Sequence, residues 1–192
     1  MTVDLDTWAP GFVADLKPQL RASLTRLVDG RPREEILGLG AYTDADATSI
    51  VAVANTRAHH EALVDAHPEH RLYYLWSPGE WDLTTVAAIE NGEPDDLASA
   101  VAEAERVGNE VSAGRAGQDD YGTFRYITWE AIVTALGQLF DEGFFDPWPL
   151  AVQVFDVPET EIEPSTLTEW MAEINTDAAA AQYAQWLTEL YA

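Results

Sequence analysis

Asp44-Ala45-Asp46 places two carboxylates in one turn after an apolar segment, and hard cations such as Mg²⁺ or Ca²⁺ take oxygen ligands of this kind. The same residues also suit a turn in which Asp bonds its own backbone. A calcium loop of the EF-hand type needs Asp or Asn at the next alternate position, then Gly and a distal Glu, whereas Thr48 and Ser49 follow here. No metal is expected; Asp44 and Asp46 are the residues that would hold one. All four histidines, His59, His60, His67 and His70, fall within twelve residues. His59 and His60 are adjacent and point to different sides of a helix, and the zinc pair H-E-x-x-H fails at Val64, so surface or capping roles are expected, with titration between pH 5 and 8.

The densest aromatic stretch is Tyr73, Tyr74, Trp76 and Trp81, with Glu80 between the two Trp and Asp82 after them. Read as a strand, Arg71–Trp76 puts Tyr74 and Trp76 on one face and Tyr73 on the other. One face belongs to the core; the other, ending in Glu80 and Asp82, is a candidate contact surface, because Tyr and Trp give large area at low entropic cost. These six residues are the candidate partner-binding set. No catalytic residue emerges. Neither a nucleophile elbow, a phosphate loop nor a dinucleotide fingerprint is present: Gly38-Leu39-Gly40 lacks the third glycine, and Lys17, the sole lysine, stands far from any Gly-rich loop. Pairs such as Asp44 with Glu80 are of the right type for acid–base work, but nothing in their spacing says that they meet. No cofactor is expected.

The elements that must position these residues belong to a chain of 192 residues with 34 acidic and 10 basic side chains, a net charge of −24. That length suits one globular domain, residues 1–192. Seven Trp, seven Tyr and six Phe are more apolar surface than a disordered acidic tail carries. Without cysteine there is no disulfide framework, thiolate or Cys-type zinc site. No run approaches the roughly 20 apolar residues that cross a bilayer, and the N-terminus lacks the features of a signal peptide, so a cytoplasmic location is expected. The charge opposes nucleic acid and anionic membranes, which bind through Lys and Arg, and makes a basic protein the expected partner. The acidity is concentrated downstream: residues 121–192 hold 12 acids and one base. A coding bias toward Arg, Ala and Asp, or a salt-adapted proteome, accounts for it as well as a functional polyanionic face does.

Apolar residues at Trp8, Phe12, Leu16, Leu20, Leu24 and Leu27 recur at helical spacing, with Pro18 expected to kink that helix or split it in two. Residues 36–42 and 49–54 read as strands joined by the loop 43–47, a hairpin; a helix follows over 57–66, capped from Asn55-Thr56. Residues 71–76 read as the third strand and 150–155 as the fourth, with helices over 97–111 and 123–141 between them and a Gly-rich, mobile stretch over 113–121 separating those helices. An acidic linker, Pro158 to Pro164, leads to a closing helical pair over 165–191. The expected fold is α+β, order α-β-β-α-β-α-α-β-α-α. A four-stranded, largely antiparallel sheet is covered by helices, since the hairpin forbids a wholly parallel one.

Three stretches carry a resemblance: Leu39–Ile50 with its Tyr42-Thr43-Asp44-Ala45-Asp46 turn, Ala52-Val53-Ala54-Asn55-Thr56, and Leu72-Tyr73-Tyr74-Leu75-Trp76-Ser77-Pro78-Gly79-Glu80-Trp81. Together they resemble the bacterial family known as domain of unknown function 4303, over about residues 8–160 and most specifically over 36–81. The resemblance implies a fold and a bacterial cytoplasmic setting and no catalytic residues; the type is similar to small acidic immunity-like domains of bacterial toxin systems. The expected function is a non-enzymatic acidic protein-binding module, an immunity-like inhibitor of a basic bacterial protein. The alternatives are a metal-assisted hydrolase using Asp44, Asp46 and Glu80, and acidity that reflects only salt adaptation or coding bias.

Overall fold

The computed structural model describes residues 3–113, 118–157 and 162–190. Helix α1 (Leu5–Leu27) starts where the Asp4 side chain accepts bonds from Thr7 N and Oγ1, at 3.4 and 2.8 Å. It runs unbroken through Pro18, so the expected split into two helices does not occur. Pro10 and Pro18 both lie on the exposed side, away from the core, and the buried stripe Phe12, Leu16, Leu20, Leu24 continues beneath.

Strands β1 (Ile36–Tyr42) and β2 (Val51–Thr56) form the expected antiparallel hairpin, with Leu39 opposite Ala54 and Tyr42 opposite Val51. Helix α2 (Arg57–Ala66) follows directly, capped by the Thr56 side chain, which accepts from His59 N at 3.3 Å. The expected third strand is a helix, α3 (Arg71–Trp76). Over the five bulky apolar residues Leu72–Trp76 a strand and a helix leave the same trace in the sequence. Here Pro68 opens a 3-10 turn that starts the chain on a helical path, and Pro78 forces Ser77 into extended backbone and ends it. The vacant edge of β2 is taken instead by β3 (Leu83–Thr84), antiparallel, and a short helix α4 (Thr85–Glu90) follows that the sequence does not announce.

Helices α5 (Ala98–Ala113) and α6 (Gln118–Asp141) lead to β4 (Val152–Asp156), which pairs with β1 in parallel, Gly38 beside Val152 and Tyr42 beside Asp156. The mixed sheet has the order β3-β2-β1-β4, two of its three pairings being antiparallel, and helices cover it. At Gly40 a side chain would run into the Val154 carbonyl, so only glycine permits this approach of β1 to β4. Residues 114–117 of the stretch expected to be mobile, and 158–161 of the acidic linker, lie outside the described residues.

The closing pair, α7 (Pro164–Glu173) and α8 (Asp177–Leu190), packs onto the core through Trp170, Met171, Ile174, Tyr183 and Leu187. Between the two helices Asn175 covers the free edge of β4: its Oδ1 accepts from Gln153 N at 2.9 Å and its Nδ2 donates to Gln153 O at 2.7 Å. Among the described residues no helix is long and apolar enough to cross a membrane.

Candidate functional site

Trp76 and Trp81 are buried in the core, as is Tyr74, whose carbonyl accepts from Asn55 Nδ2 at 3.2 Å and so ties α3 to β2. Trp76 meets Tyr183 of α8 edge to face, ring centres 5.3 Å apart. These three rings hold the segment in place, and a partner approaching it would meet Tyr73, Glu80 and Asp82.

Tyr73 is 38% exposed and its hydroxyl donates to Glu80 Oε1 at 3.0 Å. That bond, more than partial burial, holds the phenol above its ordinary value. His59 Nε2 donates to the Glu80 carbonyl at 2.8 Å, since a carbonyl can only accept, so Glu80 is fixed through both backbone and side chain. The ring of His70 stands 6.3 Å from that of Tyr73, and α3 and α8 enclose a groove of about 490 Å³ lined by His70, Leu72, Tyr73, Trp186 and Leu190. Asp82 has a different occupation: its two carboxylate oxygens accept from Thr56 N at 2.9 Å and Thr56 Oγ1 at 2.8 Å, clamping the β2–α2 junction to the start of β3.

Asp44 is likewise occupied. Its oxygens accept from Thr48 N at 2.8 Å and Thr48 Oγ1 at 3.1 Å, shaping a loop in which Ala47 takes the left-handed conformation, φ 57°. Asp46 is exposed, and its main-chain carbonyl accepts from the Tyr121 hydroxyl at 3.3 Å. Glu80 is engaged with Tyr73 and not with either aspartate, and no group of three or more His, Asp or Glu placed to hold a metal occurs among the described residues.

One constellation went unread in the sequence. Tyr126 on α6, 40% exposed, stacks obliquely on Trp170 of α7 with ring centres 6.0 Å apart. Around it the charges of Glu130, Glu169 and Glu173 act on one another. Burial first, then repulsion from Glu130 and Glu169, raises the Glu173 carboxyl above its ordinary value; burial and Glu130 raise the Tyr126 phenol. The signal was present as two i, i+4 pairs, Tyr126 with Glu130 and Glu169 with Glu173, but only the packing of α6 on α7 brings the pairs together. The three cations of α1 are engaged elsewhere: Lys17 and Arg21 both bind Glu142, and Arg26 binds Asp96 at 2.9 Å, tying α1 to the end of α6 and the start of α5.

No curated protein and no solved structure matches the chain. A family model does match, over residues 16–176, and that span takes in α1 from Leu16, the whole sheet and α7. The chain belongs to the family described as domain of unknown function DUF4303.

Proposed function

We propose that this chain is a non-enzymatic module that binds a basic protein through an acidic, aromatic-studded face, in the manner of an immunity-like inhibitor working in the bacterial cytoplasm as a single domain. The observation that carries the reading is the α6–α7 patch, where exposed Tyr126 sits among Glu130, Glu169 and Glu173 in a chain that has no Lys or Arg after Arg125. Like charges held together cost free energy, and a cation from another molecule relieves that cost. An arginine suits the place: its guanidinium can lie on the phenol ring and bond carboxylates in a two-pronged fashion. Tyr73 and Glu80 offer a second exposed aromatic–acid pair. The surrounding field of a protein at −24 draws a cationic partner in and speeds its association.

The experiment is charge reversal on the patch. Glu130→Lys with Glu173→Lys should slow association with the partner at least about tenfold at low salt, while complex formation by the unaltered protein weakens as salt rises. Binding indifferent both to salt and to these substitutions would overturn the reading.

A further inference from the structure

A cleft bordered by β1, α2, α3 and β4 differs from the acidic face in kind. It encloses about 400 Å³, within the range of small-molecule sites, and its walls include Leu37, Val64, Leu75 and Val152. Leu150 also lines it yet is 53% exposed, which places a bare leucine at the rim.

The polar side of the cleft carries both signs, with Glu61, Asp65 and Gln182 beside its cations, and Arg57 is the one that Glu61 engages. Arg57, His60 and Arg71 all line it, in a chain with only ten Lys and Arg in all. Arg57 is held by the Glu34 carbonyl at 3.3 Å and lies 3.7 Å from Glu61. The Arg71 side chain forms no hydrogen bond or ion pair among the described residues and is exposed. His60 is 5% exposed, and its Nε2 lies 3.2 Å from the Arg71 carbonyl. A carbonyl only accepts, so Nε2 carries the proton, leaving Nδ1 with a lone pair that no described residue engages. The charged groups facing this ring are Arg71 and Arg57 on one side of the balance and Glu61 on the other; Asp65 is exposed at the same cleft. Burial keeps the ring below its ordinary value, against the pull of the Arg71 carbonyl, so it is neutral at pH 7 when the cleft is empty.

A buried imidazole with one free nitrogen, an unpaired arginine lining the same cleft and aliphatic walls form a site for an anion with an apolar tail. We propose that this cleft binds a small amphipathic carboxylate, its anion between Arg71 and His60 Nδ1 and its chain against Leu37, Val64, Leu75 and Val152. The carboxylate draws a proton from solvent onto Nδ1. His60 then donates from both ring nitrogens, Nε2 to the Arg71 carbonyl and Nδ1 to the ligand, so that binding and proton uptake are linked.

The test uses the full chain and two probes of equal length, hexanoate and the uncharged hexanamide, followed by NMR at pH 7. Hexanoate should shift the methyl resonances of Val64, Leu75 and Val152 saturably and move the His60 ring resonances toward the imidazolium position, with hexanamide at least about tenfold weaker. Arg71→Gln, which removes no internal bond and should leave the spectrum dispersed, should bring hexanoate down to the level of the amide; Arg71→Lys should retain part of the preference. Equal affinity for acid and amide, shifts that do not saturate or fall outside the cleft, or an R71Q variant that binds as the unaltered protein does, would each overturn the proposal.

Discussion

A Cβ on Gly38 would stand 2.5 Å from Cη2 of Trp81 and 2.7 Å from its Cζ2, so the edge of the indole rests directly on the backbone of β1. This contact seats the turn that carries Glu80 and Asp82. Gly38→Ala should therefore push Trp81 off the sheet and cost about 1–3 kcal/mol, the range for overpacking a filled core. Urea unfolding followed by Trp fluorescence reads this; an unchanged midpoint would mean that the ring moves aside freely.

Asp82 should prove structural. Asp82→Ala removes both acceptors from Thr56, and leaving that junction unpaired should cost about 1–2 kcal/mol in thermal or urea unfolding. Charge reversal at Glu80 loses one exposed bond to Tyr73 and should cost well under about 1 kcal/mol by the same measurement. Equal costs for the two substitutions would contradict this division of roles.

The hairpin, the capped helix at Thr56 and the helices of the second half were legible because each is announced by a local signal: β-branched runs, a cap residue, apolar residues three and four apart. The segment 71–76 was not, since five bulky apolar residues after Arg71 satisfy either period and the deciding influences are Pro68 and Pro78 on its flanks. The division into two faces holds in the helix as well, with Tyr74 and Trp76 together inside and Tyr73 outside. The candidate contact set was therefore part scaffold, and Asp44 was part of a turn. What lies far apart in sequence was illegible: Asp82 with Thr56, Gly38 with Trp81, and the meeting of Tyr126 and Glu130 with Glu169 and Glu173 all depend on helices and strands packing in three dimensions.

Glu173 gives the acidic patch a pH signature. A carboxyl raised above its ordinary 4.5 binds its proton more readily in the native than in the unfolded chain, so its stabilising contribution is present below 4.5 and is lost as pH rises through the native value. Glu173→Gln should accordingly stabilise the protein at pH 7, by less than about 1 kcal/mol because solvent screens the group, and the gain should vanish toward pH 4. Thermal unfolding across that range reads it; a substitution that is destabilising at pH 7 would contradict the mutual repulsion.

His60 works in the opposite sense. Its native value lies below the ordinary 6.5, so the unfolded chain takes the proton first and stability falls as pH drops through 6.5, levelling once the native ring is also protonated. His60→Gln should flatten the slope of stability against pH between 7 and 5, whatever it does to absolute stability. An unaltered slope would show that the ring is not held neutral by its burial.

The docking of a basic protein on the acidic face is tested most directly by capture from the lysate of the chain's own host. Two baits are compared, the unaltered protein and the triple variant Glu130→Lys, Glu169→Lys, Glu173→Lys, each loaded at about 0.05 M salt and eluted by a step to about 0.5 M, which shortens the screening length from roughly 14 to 4 Å. The account predicts a basic protein held by the unaltered bait, released by the step and missing from the triple variant. A bait that retains nothing, or one whose partner stays bound through the salt step and binds the triple variant equally well, would contradict it.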